Sequence, residues 1–181
     1  MVSSPALRFT YQDYLLLPEE RRYEILDGDL FMTPAPTPYH QIVAGNLYSS
    51  LREHVYKGRL GQVIMAPCDV LLSETDVVQP DILFVSKERA SIIEEKYISA
   101  APDLVVEVLS PATAERDRTL KMKTYARFGV RELWVADPDA KSIALFTNSG
   151  QGFQEEALLR MGEVLRSRLL PGLEIALAKI F

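Results

Sequence analysis

Apolar positions along this chain follow two periods. Between His40 and Tyr56 they recur at helical spacing (Ile42, Leu47, Leu51, Val55) and stop before Gly58, which predicts an amphipathic helix. Elsewhere they form short runs rich in branched residues, the pattern of strands. Tyr23 to Leu26 and Leu30 to Met32 flank Asp27-Gly28, a dipeptide favoured in tight hairpin turns. A rigid loop with Pro34, Pro36 and Pro38 follows, and then, beyond the helix, the runs Val63 to Met65, Val70 to Leu72 and Ile82 to Val85, separated by Pro67, Ser73-Glu74 and Pro80. Ser86 to Ala101 reads as loop or helix. Leu104 to Leu109 is an almost continuous apolar run, expected of the buried middle of a sheet.

Ser110-Pro111 stops that strand, Thr113 is placed to cap a helix, and the helix runs to about Phe128, closed by Gly129. Val130 to Ala136 is a further strand ended by Asp137-Pro138. Ser142 to Thr147 and Phe153 to Leu159 form a hairpin around Asn148-Ser149-Gly150, and Val164 to Phe181 reads as strand or loop with a short terminal helix. A strand, helix and strand in the middle with hairpins on both sides predicts an α/β (α+β) fold, a mixed β-sheet flanked by helices with additional antiparallel hairpins. No repeat or flexible linker interrupts it, so residues 1–181 are expected to form one domain.

Composition narrows the class. The chain has 181 residues, a formal charge of −5, 48% hydrophobic and 25% charged residues, ordinary values for a globular domain. Cys68 is the one cysteine, which excludes an intramolecular disulfide and a CxxC zinc site and fits a reducing compartment. There is no basic start followed by an apolar stretch and no run long enough to span a membrane, so a cytoplasmic protein without membrane contact is expected. The acidic total argues against coating nucleic acid by bulk charge. Glu115 to Arg131 is nevertheless locally basic, with Arg116, Arg118, Lys121, Lys123, Arg127 and Arg131 against Glu115 and Asp117. It is either a landing place for a polyanion or the solvated face of one helix.

A carboxylate inside a buried strand must be paired, hydrogen-bonded or bound to metal. Glu107 is such a residue. Asp103 shares its face of the strand but lies about 13 Å away at 3.3 Å per residue, too far to coordinate the same cation. Asp81, which opens the run Ile82 to Val85, is the better partner from a neighbouring strand, and two hard carboxylates completed by water suit Mg²⁺ or Mn²⁺ rather than zinc. Glu24 could add a third acid. The plainer readings are a strand-start cap for Asp81 and a surface acid on an edge strand for Glu24. On the following helix, Asp117, Lys121, Thr124, Tyr125 and Phe128 fall in one sector at 100° per residue and Lys123 falls outside it. Lys121 is therefore aimed at the sheet, where its ammonium either approaches Glu107 or snorkels outward.

Other residues are expected to do less. His40 opens a helix with no second ligand at metal spacing, which suits a capping or surface role; Cys68 reads as a packed thiol, and Trp134 and Tyr125 as core. The apolar stretch Leu158 to Phe181 could cover a sheet edge or form a homodimer contact.

Several segments together resemble a known family. Arg22-Tyr23-Glu24-Ile25-Leu26-Asp27-Gly28, Gln79-Pro80-Asp81, the run from Ala101-Pro102-Asp103 through Glu107 to Ser110-Pro111, then Asp117-Arg118, Lys121, Tyr125, Gly129-Val130 and Glu132-Leu133-Trp134 are similar to a large group of bacterial restriction-endonuclease-like proteins. These belong to the PD-(D/E)XK nuclease superfamily, and the likeness runs from about Phe9 to Asp137. In the wider superfamily a lysine stands two residues after the acid; here that position is Leu109. The resemblance implies that Lys121 has taken the migrated role, orienting the attacking water and stabilising developing charge. It also implies Asp81 and Glu107 as metal ligands, Glu24 as an auxiliary acid, a restriction-endonuclease-like fold, and Mg²⁺-dependent hydrolysis of DNA. A catalytically silent nucleic-acid or protein binding module with the same fold is the alternative, and a metal-free structural protein a third reading.

Overall fold

The computed structural model describes residues 7–18, 20–110 and 116–181, apart from the side chains of 116–118. Pro111, the predicted cap Thr113, Glu115 and the side chains of Arg116, Asp117 and Arg118 thus lie outside the described residues. The helices are α1 (Tyr11–Tyr14), α2 (Pro38–Gly58) and α3 (Arg116–Arg127), with 3-10 turns at Lys87–Ile92 and Leu177–Lys179. The strands are β1 (Arg22–Leu26), β2 (Asp29–Thr33), β3 (Gly61–Met65), β4 (Val70–Ser73), β5 (Asp76–Val78), β6 (Ile82–Ser86), β7 (Leu104–Val108), β8 (Glu132–Asp137), β9 (Ser142–Asn148), β10 (Phe153–Arg160), β11 (Val164–Arg166) and β12 (Glu174–Ala176).

These strands form a six-stranded sheet in the order β10-β9-β8-β7-β6-β3, a four-stranded sheet β2-β1-β5-β4, and the pair β11-β12. In the large sheet only β7 and β8 run parallel, joined by the crossover that contains α3. β7 lies between β6 and β8, which is why its sequence is apolar on both faces. The mixed sheet with flanking helices and hairpins is the architecture that the chain's pattern predicts.

One face of the large sheet packs against α2. Val43, Leu47, Leu51 and Val55 of the helix meet Ile82, Phe84, Leu104, Val106 and Trp134 of the strands. The buried stripe uses Val43 where Ile42 was expected; Ile42 is 56% exposed, because only the i, i+4 series through Val43 keeps one side of the helix facing the sheet. Thr37 caps α2 by accepting from the His40 N–H, with Pro38 in the first turn. The helix includes Gly58 and ends at Arg59 in the left-handed region. A Cβ on Gly58 would sit 2.8 Å from Leu60 Cγ, so glycine lets Leu60 fold back onto the last turn. The apolar tail joins the same layer: Leu165, Leu170, Leu173, Ile175, Leu177 and Ile180 are buried in it.

The opposite face meets α3 and the small sheet, with Leu26, Val70 and Val78 packing on Leu83, Val105, Tyr125, Leu133 and Val135. The β1-β2 hairpin turns through Asp27 and Gly28, both at positive φ, the two-residue turn that matches strand twist. β5 is three residues long and starts with an acid, too short to read from alternation, yet it pairs with β1 and so places β1 inside its sheet.

Asp103 shows what a buried carboxylate looks like when its role is structural. It accepts from the Ser86 backbone N–H at 2.8 Å and faces Arg89 at 3.2 Å and Arg131 at 3.5 Å. Burial opposes ionisation, but the Ser86 N–H and Arg89 outweigh it and hold its pKa below the usual carboxylate range. A depressed carboxylate stabilises above its unfolded pKa and loses that contribution as pH falls through the folded one. Asp103→Asn should therefore cost about 2 kcal/mol at pH 7, less than a fully buried pair because both arginines reach water. Urea unfolding at pH 7 and pH 3 checks this: the gap between the two proteins should narrow at the lower pH.

Candidate active site

The register between β6 and β7 builds the centre of the site. Ile82 lies opposite Val106, Leu83 opposite Val105 and Phe84 opposite Leu104. Continuing that antiparallel register by one residue puts Asp81 opposite Glu107, so both side chains leave the same face. Asp81 Oδ2 accepts from the Val108 N–H at 2.8 Å, an anchor just past the last ladder pair. Pro80, which has no N–H to donate, precedes Asp81 at the strand entrance.

Lys121 enters from α3. Its ammonium lies 2.8 Å from Glu24 Oε1 and 3.1 Å from Glu107 Oε1, and the Tyr125 hydroxyl, one helical turn further on, donates to the same Glu107 oxygen. Burial pushes the Glu107 carboxyl up from 4.5 to about 7; Asp81 and Glu24 add to the rise, while Lys121 and Tyr125 oppose it. For Lys121, burial works against the charge, but Glu107 and Glu24 prevail and raise its pKa above the ordinary value. Tyr125 is kept neutral by its own burial and by the carboxylate beside it.

A second set of contacts holds these groups in place. The Gln79 backbone N–H donates to Glu24 Oε1 at 2.8 Å, and the Gln79 side chain links Arg22 Nε at 2.8 Å to Asp69 Oδ1 at 2.6 Å and the Tyr14 hydroxyl at 3.0 Å. His40 is not at the surface, as its place in the helix suggested. It is buried, with Nε2 3.0 Å from the Val108 carbonyl and 3.4 Å from Asp81 Oδ2. Its hydrogen bond with Asp81 raises its pKa against the effect of burial. His40 continues the inward stripe of Val43, Ala44 and Leu47 by one turn, the pattern that could have revealed it.

Asp81, Glu107, Lys121 and Glu24, drawn from four separated segments, thus line one cavity of about 110 Å³, with Arg22, His40, Gln79 and Tyr125 beside them. Two plain alternatives fail. Glu24 is not a surface acid on an edge strand: it is 5% exposed on β1, between β2 and β5. Lys121 does not snorkel outward. Leu109, on the same strand face as Glu107, contributes an apolar wall where a strand-borne lysine would stand. The basic stretch is less available than its composition suggests. Arg127 binds Asp76 at 2.8 Å, Arg131 faces Asp103 and Lys121 is enclosed, while Lys123 is exposed.

The donor set can be tested against a metal. Glu107 Oε2 and Asp81 Oδ1 have no hydrogen-bond partner among the described residues; the contacts of each group fall on its other oxygen. No group of three or more His, Cys, Asp or Glu that could hold a metal occurs among the described residues. Two hard oxygens with room for water fit a divalent ion that keeps much of its hydration, such as Mg²⁺, and do not fit a zinc cage.

The family model Uma2, described as "Putative restriction endonuclease", matches residues 11–178. The fold is similar to that of a "putative nuclease belonging to DUF820" from Anabaena variabilis ATCC 29413, with 20% identity, a TM-score of 0.81, and coverage of 96% of this chain and 97% of that one. At that identity the likeness is one of fold. Among curated proteins none matches the chain.

The raised Glu107 pKa has a stability consequence. Since the folded value lies above the unfolded one, this group's contribution is complete below pH 4.5 and is lost as pH rises through about 7. Glu107→Gln removes that loss, so urea midpoints without divalent metal should fall less for the variant than for the wild type between pH 4.5 and 7.

Proposed function

The chain belongs to the Uma2 family, and from that premise and the meeting of three carboxylates with one ammonium we propose that it is a nuclease. On this reading it hydrolyses phosphodiester bonds in DNA with Mg²⁺ or Mn²⁺ as cofactor. The observation that carries the reading is Lys121, held in hydrogen-bond contact with Glu24 and Glu107 beside Asp81. An ammonium buried next to an acid pair, inside a cavity that reaches solvent, is costly unless the arrangement is used.

Asp81 and Glu107 would hold the ion through their unengaged oxygens. When bound, a divalent ion supplies a polarised phosphoryl oxygen and a water of lowered pKa. The other work belongs to the chain. An ammonium has three N–H donors, and Lys121 spends two on Glu24 and Glu107, which leaves one for the attacking water or a phosphoryl oxygen. Negative charge that grows on the phosphorane is stabilised by that fixed donor without any side-chain rearrangement. Glu24 keeps Lys121 charged and in place, and is itself anchored by the Gln79 N–H. Tyr125 donates to Glu107 Oε1 and so helps hold the carboxylate in place.

The silent binding-module reading draws on Leu109 at the position of the superfamily lysine. Lys121 supplies the missing ammonium at 3.1 Å from Glu107, and Arg127 and Arg131, which that reading would use for binding, are engaged by acids.

Cleavage of single- and double-stranded DNA, followed while Mn²⁺ is titrated, tests the proposal. Wild-type protein should cut; Asp81→Ala should lose the metal dependence and Lys121→Met should be slowed about 100- to 1,000-fold. Equal rates for wild type and Asp81→Ala would remove the proposal, and calorimetry with Mn²⁺ should show binding by the wild type and none by Asp81→Ala.

A further inference from the structure

A polyanionic substrate needs a cation that the protein's own acids have not already claimed. Among the basic groups that line the cavity, Lys121 is shared by Glu24 and Glu107, and His40 faces Asp81. Arg22 differs. Its described partners are both neutral: Nε donates to the Gln79 side-chain oxygen at 2.8 Å, and Nη2 lies 3.5 Å from the Gln79 carbonyl. No carboxylate pairs with it among the described residues. We propose that Arg22 binds a second phosphate of the nucleic-acid substrate, one flanking the phosphodiester that is cut; the inference rests on the nuclease reading.

Placement supports the role. Arg22 and Glu24 are two residues apart on β1, hence on the same strand face and about 6.8 Å from one another at 3.4 Å per residue. Glu24 is buried beneath Lys121 while Arg22 is half-buried, so the guanidinium stands one side-chain position nearer solvent along the same wall. Gln79 holds Nε and thereby orients the planar fork, leaving Nη1 without a described partner and Nη2 with only the long contact. A guanidinium with free terminal donors is suited to phosphate oxygens, and its orientation ahead of binding lowers the entropy cost of the contact.

Gln79 also separates this role from a structural one. If Arg22 serves only to hold Gln79, removing either side chain should have the same effect. If it binds phosphate, Gln79→Ala leaves the charge in the cavity and Arg22→Ala removes it.

The experiment measures fluorescence anisotropy of a short fluorescein-labelled single-stranded oligothymidylate over a series of KCl concentrations. Arg22→Ala, Arg22→Lys and Gln79→Ala are each placed in an Asp81→Ala parent that does not cut the probe. Arg22→Ala should weaken binding about tenfold and reduce the slope of log affinity against log salt by about 0.7, the value for one phosphate on a single strand. Arg22→Lys should restore most of the affinity and slope, whereas Gln79→Ala, which frees the fork but keeps its charge, should weaken binding less than Arg22→Ala and leave the slope unchanged.

Unchanged affinity and slope in Arg22→Ala would overturn the inference. So would equal losses in Arg22→Ala and Gln79→Ala without rescue by lysine. Mn²⁺-dependent cutting by the wild type judges the nuclease reading separately. Cutting with Arg22-independent binding removes only the Arg22 role, whereas Arg22-dependent binding without cutting removes only the nuclease. No binding by the parent at the lowest salt would overturn the Arg22 role.

Discussion

A buried ammonium between two carboxylates is the constraint around which this molecule is arranged. Lys121 brings a charge into a site largely withdrawn from water, and that is tolerable only because Glu24 and Glu107 approach it from two different sheets. Either acid alone would leave an asymmetry. Without Glu24, Lys121 would face a carboxyl already pushed toward neutrality by burial; without Lys121, two acids would face one another beside Asp81. The small sheet, α3 and the large sheet are therefore tied together electrostatically at the point where their apolar surfaces also meet.

The fold satisfies this constraint with short-range devices. The Asp27-Gly28 turn sets the β1-β2 register, and the pairing of β1 with β5 brings the segment before Gln79 alongside it, so that the Gln79 N–H can reach Glu24. The antiparallel register of β6 on β7 does the same for Asp81 and Glu107. At the far end of β7, Asp103 satisfies its burial with a backbone N–H and two arginines. Asp103, just before β7, and Glu107, within it, thus have opposite electrostatics: Asp103 is held below the carboxylate range and Glu107 well above it. Both acids have a cation and a donor beside them; what separates them is that burial and the neighbouring acids Asp81 and Glu24 prevail at Glu107, while the Ser86 N–H and Arg89 prevail at Asp103.

Much of the architecture was legible in the sequence because it depends on local pattern. The central strand, the long helix, the two hairpins and the inward angle of Lys121 all follow from periodicity and turn chemistry. Asp81 and Glu107 could be paired by spacing once Asp103 was excluded by distance. The position of Glu24 was not legible, since its burial depends on β5, a strand too short to show alternation and paired with a segment about fifty residues away. His40 lies one turn ahead of the inward stripe of Val43, Ala44 and Leu47, and that stripe marks it as buried without showing that Asp81 is what it meets. Tyr125 was read as core and is core, but its hydroxyl has a second use that composition does not reveal. The apolar tail stays open between a sheet edge and a dimer contact in the sequence because hydrophobicity shows that a segment is buried and not against what.

Supplying the ammonium from a helix changes what the site depends on. A lysine on β7 would inherit its position from the strand ladder, the most rigidly registered part of the fold. Lys121 inherits its position from the docking of α3, which is governed by side-chain packing and by charge. Thr124 and Tyr125 bury the same face as Lys121, and at the C-terminal turn Arg127 reaches Asp76 of β5, whose carboxylate also accepts from the Asp27 N–H at the hairpin. The helix is thus fastened to the small sheet that carries Glu24. A shift of α3 relative to the large sheet would carry Lys121 and Glu24 together and open the distance to Glu107. The ion pair with Glu24 thus lies within the unit formed by α3 and the small sheet, and the contact with Glu107 joins that unit to the large sheet.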